Sequence, residues 1–213
     1  MHEQPTAAPV TPALEWGVAA RTNPGHAVSG DSYVVQPFAG GVLVAVVDAL
    51  GHGEEAAAAA ARAVQAIAAH AADPVLAVTR WCHESLVGTR GAVLSLASFA
   101  TAKHAMSWLG VGNVEGVLLR GPGARKASRA VLINRGGIVG AELPAPRDDT
   151  LSVAPGDTLI FATDGVRGGF ADGLVPTGPP QQIADSLLQR FAKGTDDALV
   201  LVARYLGGGS PAR

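Results

Sequence analysis

The chain predicts an α+β fold, two antiparallel sheets packed together and flanked by helices, on three observations. Strand signals run consecutively through the middle of the sequence. Helical segments come in two blocks, with no βαβ alternation between them. The 213 residues, 48% apolar and 16% charged, show no internal repeat and no linker, which suits one domain with a large core.

In chain order, residues 1–13 mix Pro, Ala and Thr without periodicity and read as a flexible tail. Strands are expected near 15–22, 32–37 and 42–48, the last two joined by a turn at Gly40-Gly41. Glu54 through Ala69 is an alanine-rich helix with acids in its first turn, where the helix dipole favours them. Asp73-Pro74 reads as the N-cap and first-turn pair of a second helix that runs to about Val87 and stops at Gly88.

Ala92–Thr101, His104–Val111, Val114–Arg120, Arg129–Asn134 and Gly137–Gly140 then read as strands, with tight hairpin turns at Gly112-Asn113 and Arg135-Gly136. Leu151–Val153, a turn at Pro155-Gly156-Asp157, and Thr158–Thr163 follow. After Pro180 comes a helix with Ile183, Leu187, Leu188 and Phe191 on one face, stopping at Gly194. Ala198–Tyr205 is the last strand, and 207–213 a glycine-rich tail. The expected domain is 14–206.

Composition narrows the function. A net charge of −2 offers no basic surplus for a phosphate backbone, so no nucleic-acid partner is expected. Cys82 is the only cysteine, which excludes an internal disulfide and a cysteine-rich zinc site and fits a reducing compartment. No apolar run approaches the roughly 20 residues that cross a bilayer, and Met1 to Pro12 lack a signal-peptide pattern. A cytoplasmic monomer without membrane contact is the expectation.

The candidate site lies in acids at strand ends. Asp48 closes the apolar run Val42–Val47 and opens the turn Ala49-Leu50-Gly51-His52-Gly53. Asp164 closes Leu159-Ile160-Phe161-Ala162 after Thr163, and Gly165 follows it. Asp196 and Asp197 open Ala198–Val202, and Gly30-Asp31 leads into Ser32-Tyr33-Val34-Val35. Singly, each is also read as a turn residue. Together they describe how a fold collects carboxylates around hard divalent cations, with the Ala49 carbonyl a further oxygen donor.

Other signals carry less. Gly110-Val111-Gly112-Asn113 precedes strand-like residues, not the helix a nucleotide loop needs. The six histidines form no metal-binding pair at helical spacing, and Ser32 and Ser95 lack a glycine elbow. Cys82, Trp81 and Trp108 read as core.

The ordered segments Gly30-Asp31-Ser32-Tyr33, Val47-Asp48-Ala49-Leu50-Gly51-His52-Gly53, Gly110-Val111-Gly112-Asn113-Val114-Glu115, Ala162-Thr163-Asp164-Gly165-Val166 and Thr195-Asp196-Asp197-Ala198 resemble PPM-type serine/threonine phosphatases. The resemblance runs from about residue 15 to 206 and is nearest the SpoIIE-like branch and its RsbX-like members. It implies a four-layer αββα sandwich with Mn²⁺ or Mg²⁺, two per site, at one end. It implies Asp48 as the bridging ligand, the Ala49 carbonyl on one metal, Asp164 and Asp196 on the other, and Asp31 orienting water or serving an additional, weaker metal. The implied substrate is phosphoserine or phosphothreonine on STAS-domain proteins of bacterial stress or sigma-factor signalling.

Three departures stand out: Ala49 replaces a common glycine, Arg21 is not matched to the arginine that grips phosphate elsewhere in the family, and Ala198 or Leu199 replaces a usual threonine. The implied chemistry is hydrolysis by water activated at a two-metal site, with Asp48 and Asp164 essential and His52 a candidate proton donor to the leaving oxygen. Two alternatives stay open: a catalytically silent partner-binding module of the same fold, and a phosphohydrolase of small molecules or nucleotides.

Overall fold

The computed structural model describes residues 13–121, 129–143 and 145–208. Among the described residues, ten strands form two five-stranded sheets. The first has the order β1 (Leu14–Arg21), β10 (Ala198–Tyr205), β9 (Thr158–Ala162), β6 (Glu115–Leu119), β7 (Arg129–Val131). The second runs β2 (Asp31–Phe38), β3 (Gly41–Ala49), β4 (Ala92–Ala100), β5 (Ala105–Val111), β8 (Asp149–Ser152). Every pairing is antiparallel.

Three apolar layers hold four structural layers together. Between the sheets, Val44, Val46, Phe99, Trp108, Phe161, Leu201 and Tyr205 interdigitate. The opposite-facing residues of β3 and β4, among them Leu43, Val47, Leu94 and Leu96, pack against α1 (Glu54–Ala69) and α2 (Val75–Leu86). The outer face of the first sheet packs Val200, Val202 and Ile160 against Ile183, Leu187 and Leu188 of α3 (Pro180–Phe191). β3 is therefore buried on both faces, which is why its sequence reads as an unbroken apolar run instead of an alternating one. Truncating one of its leucines or valines removes a filled volume and costs about 2–5 kcal/mol. The αββα sandwich expected from the sequence is the observed architecture.

The helices follow from local sequence. α1 buries Ala56, Ala59, Ala60, Ala63 and Ile67, a stripe of small residues that lets the helix lie close to the sheet. α3 begins with Pro180 at its first position, where the missing N–H is not needed. α2 begins after Pro74 as N-cap, not Asp73; the Asp73 carboxylate instead meets His70 Nδ1 at 3.1 Å.

Several sequence expectations need correction. Gly112-Asn113 is not a hairpin turn: β5 and β6 belong to different sheets, and these residues carry the chain between them. Arg135-Gly136 is not one either, because β7 ends at Val131 and Arg135 makes only an isolated parallel bridge to Val111. Gly137–Gly140 contributes a single bridge, Val139 to Ala92, and no strand. In each case the glycine marks a real turn, but the partner of the next segment is chosen by the core. Trp81 is 43% exposed instead of core, because it lies off the stripe formed by Val75, Val78, Cys82 and Leu86; its ring stacks on His70 at 4.7 Å. Trp108 and Cys82 are buried as expected, and burial pushes the Cys82 thiol up to about 12.

Residues 1–12 and 209–213 of the expected tails lie outside the described residues. Ala13 accepts a backbone hydrogen bond from Leu206 at 2.9 Å. No described helix is long and apolar enough to cross a membrane.

Candidate metal centre

Antiparallel pairing alone brings the strand-end acids to one end of the sandwich. The start of β2 lies beside the end of β3, so Asp31 stands opposite Asp48 in the register. The end of β9 lies beside the start of β10, and the Thr163 N–H donates to the Leu199 carbonyl at 3.0 Å. Asp164 and Asp196 follow and precede that paired stretch, respectively. A side-chain hydrogen bond ties the two sheets here: Thr163 Oγ1 donates to Asp31 Oδ2 at 2.7 Å. The same hydroxyl accepts from the Leu199 N–H at 2.9 Å, which fixes its direction.

Asp48, Asp164 and Asp196 line one open cleft of about 370 Å³, together with Gly51, His52, Asn113 and the apolar side chains Leu50, Val93 and Ile138. Asp31 and Ala49 are not in its lining. Ala49 is fully buried, and its N–H donates to the Gly30 carbonyl at 3.1 Å. The turn after Asp48 needs glycine at two places, Gly51 with φ 89° and Gly53 with φ 77°, where a side chain is strained.

The electrostatics are those of crowded carboxylates. Burial pushes Asp31 up to about 8, and the charges of Asp48, Asp197 and Asp164 push the same way, while the Thr163 hydroxyl opposes them. Burial pushes Asp48 up to about 7, reinforced by Asp164, Asp196 and Asp197. Two half-buried acids near neutrality, facing exposed ones, crowd like charges in a way that a divalent cation would relieve.

Asp164 and Asp196 are also held by the protein. Asn113 Nδ2 donates to Asp164 Oδ2 at 2.9 Å. Asp196 Oδ1 accepts the Asp197 N–H at 2.9 Å. Gly165 is required behind Asp164, because a Cβ there would stand 1.8 Å from the Asp197 carbonyl oxygen. Among the described residues, no group of three or more His, Cys, Asp or Glu side chains is gathered closely enough to hold a metal ion as it stands. The donor set nonetheless fits the group the sequence implies: the cleft offers carboxylate, amide and backbone oxygens and no thiolate, which suits Mg²⁺ or Mn²⁺.

Asp197 differs from its neighbour. It is 5% exposed, and its carboxylate accepts the Asn23 N–H at 2.7 Å and the Gly30 N–H at 2.8 Å. It thereby pins the loop that delivers Asp31. Adjacent in sequence, the two part in the fold: Asp196 faces the cleft and Asp197 the interior. His52, named above as a candidate proton donor, lines the cleft, and its ring lies 4.2 Å from that of His26.

Three contacts of the candidate site escape the sequence: Asn113 on Asp164, Thr163 on Asp31, and Asp197 on the Asn23–Gly30 loop. Thr163 sits in the strand-end signature, but nothing local says that its hydroxyl crosses to the other sheet. Asn113 is hidden by its resemblance to a hairpin residue.

The comparisons with known proteins agree with this fold. Residues 39–206 match the family described as Stage II sporulation protein E (SpoIIE). Comparison with curated proteins gives no significant match. A solved chain described with the bacterial stressosome, a modular system adapted to control secondary messenger signalling, is 27% identical, with 90% of this chain and 99% of that one covered and a TM-score of 0.81. RsbX in complex with magnesium is 20% identical over 92% and 98% of the two chains, with a TM-score of 0.81. The catalytic domain of the serine/threonine phosphatase PstP with 2 manganese ions is 17% identical over 91% and 98%, with a TM-score of 0.68.

Proposed function

This chain belongs to the SpoIIE family of PPM-type phosphatase domains, and from that premise we propose that it is a metal-dependent phosphatase of phosphoserine or phosphothreonine. Its proposed substrate is a phosphorylated STAS-domain protein in bacterial stress or sigma-factor signalling, met in the cytoplasm by a monomer. The observation that carries the reading is the convergence of Asp48, Asp164 and Asp196 on one cleft, with Asp31 opposite Asp48. The neighbours described with the stressosome, with magnesium and with manganese support the pathway and the cofactor.

Asp48, Asp164 and Asp196 are the side chains that would hold the cations, with the Ala49 carbonyl as a further donor. When bound, divalent cations neutralise phosphoryl charge and acidify water. The protein's own residues do the rest. Asn113 keeps one Asp164 oxygen turned in a fixed direction. Thr163 does the same for Asp31, which would orient the attacking water or serve an additional, weaker cation. His52, at the cleft wall, gives a proton to the departing seryl or threonyl oxygen. Leu50, Val93 and Ile138 thin the water around the phosphoryl group, which strengthens every charge contact there.

The test is phosphate release with Mn²⁺ from a phosphorylated STAS protein, set beside a nucleotide panel and a chromogenic phosphate ester. Release from the phosphoprotein that disappears on chelation and in Asp164→Asn is the expected result. Hydrolysis of nucleotides alone, or Mn²⁺ binding without any turnover, overturns the substrate assignment or the activity respectively.

A further inference from the structure

A second open recess, about 500 Å³, lies next to the acid cleft and is lined by Arg62, Glu55, Ala59, Gly88, Thr89 and Arg90 among others. It is built from the solvent side of α1 and the turn between α2 and β4. Arg90 joins the two hollows. Its Nε and Nη2 grip Glu55 Oε2, each at 2.6 Å. Its Nη1 lies across the turn that walls the cleft: a Cβ on Gly51 would meet Nη1 at 2.5 Å. Among the described residues Nη1 has no hydrogen-bond acceptor of its own, and Arg62 makes no ion pair.

The charges are arranged in opposition. The cleft wall carries Asp48, Asp164 and Asp196 and no Lys or Arg. The neighbouring recess carries two guanidinium groups against one carboxylate, so it is one charge positive. Gly51 belongs to the cleft wall and lies against Arg90 Nη1, so a substrate chain that leaves the cleft across Gly51 passes the free edge of Arg90.

We propose that this recess is a specificity subsite, in which Arg62 and Arg90 receive an acidic side chain flanking the phosphorylated residue of a protein substrate. This rests on the phosphatase reading above. The guanidinium of Arg90 is already oriented by Glu55, so little side-chain freedom is lost when a carboxylate docks on its open edge. Arg62 supplies a second contact from α1, and both groups stay partly solvated, which limits the gain to a modest preference.

The experiment compares two fluorescein-labelled phosphothreonine peptides with Mn²⁺ present, one flanked by aspartates and one by alanines. Binding is read by anisotropy and turnover by phosphate release. The expected result is about three- to tenfold tighter binding of the acidic peptide. Arg62→Glu and Arg90→Glu bring the ratio of the two dissociation constants to about one or below it. Arg80→Glu, the same charge change on an exposed part of α2 outside the recess, leaves the ratio alone. Arg62→Glu, at an exposed helical position, carries the test if Arg90→Glu disturbs the Gly51 turn.

Equal binding of the two peptides by the wild type, or a ratio unchanged in Arg62→Glu, overturns the subsite. The chromogenic ester reports the other question. If it is not hydrolysed the phosphatase reading fails, and the anisotropy ratio still decides whether the recess selects acidic segments.

Discussion

Asp31 and Asp48 face each other as register partners across β2 and β3, and both carboxyls titrate far above their usual range, at about 8 and about 7. In an unfolded chain each would ionise near 3.8. Between those values the native state holds protons that the unfolded state has released, so stability falls as pH rises. The stability that protonation confers is whole below pH 3.8 and is gone once pH passes about 8. In chelator, the melting temperature should therefore drop by several degrees between pH 5 and pH 8.5, and Mn²⁺ should restore most of it at the upper end. A chelated protein whose melting temperature is flat across that window would show that these acids are not crowded.

His52 should matter in proportion to the leaving group. An alkyl alkoxide needs a proton as it departs, whereas p-nitrophenolate does not. His52→Ala is expected to slow release from a phosphothreonine peptide by about 10²–10⁴-fold while p-nitrophenyl phosphate falls much less. Equal losses on both substrates would assign the histidine to binding and leave the proton donor elsewhere.

Asn113 touches no substrate in this scheme, and acts through the Asp164 carboxylate that it holds at 2.9 Å. Removing a group that orients a ligand commonly weakens metal binding about 10–100-fold. Asn113→Ala should show that loss in a calorimetric Mn²⁺ titration with little change in melting temperature, since the residue is exposed. An unaltered Mn²⁺ affinity would separate Asn113 from the site.

Two neighbouring acids should give opposite phenotypes. Asp197 satisfies the part-buried N–H of Asn23 and the buried N–H of Gly30, and its removal orphans both. Asp197→Ala is expected to cost about 3 kcal/mol in urea denaturation. Asp196→Asn should stay within about 0.5 kcal/mol, because the residue is exposed, and should instead lose Mn²⁺-dependent turnover. Matching stability losses would mean that the pair acts as one structural unit.

The contrast within that pair explains how much the sequence discloses. Strand-end position is legible wherever an apolar run meets an acid and a glycine, so Asp31, Asp48, Asp164 and Asp196 can be picked out together. The layering is legible too, because β3 is apolar on both faces and α1 on one. Sidedness is not. Nothing local tells that Asp196 faces solvent while Asp197 turns inward, since their difference lies in N–H groups more than 160 residues away. The same holds for Gly112-Asn113, whose two-residue length fits a hairpin until the core assigns β5 and β6 to different sheets. Trp81 fails for a related reason: its size argues for burial, but its phase on α2 points it at His70 and solvent.

The crowding of Asp48 sets function against stability, and one substitution exposes both sides. Its carboxylate is driven up by burial first, then by Asp164, Asp196 and Asp197, so at pH 8 an ionised Asp48 is a liability to the folded chain. Asparagine keeps the shape and one oxygen but carries no charge to desolvate. Asp48→Asn should therefore raise the melting temperature of the chelated protein at pH 8 by a few degrees, with the gain vanishing toward pH 4, where the native aspartate is already protonated. The same variant should lose Mn²⁺-dependent phosphate release to background, because an amide neither bridges nor neutralises divalent cations as a carboxylate does. Stabilisation without loss of turnover would place the cations elsewhere in the cleft, and loss of turnover without stabilisation would mean that Asp48 sits in a more polar setting than its neighbours imply.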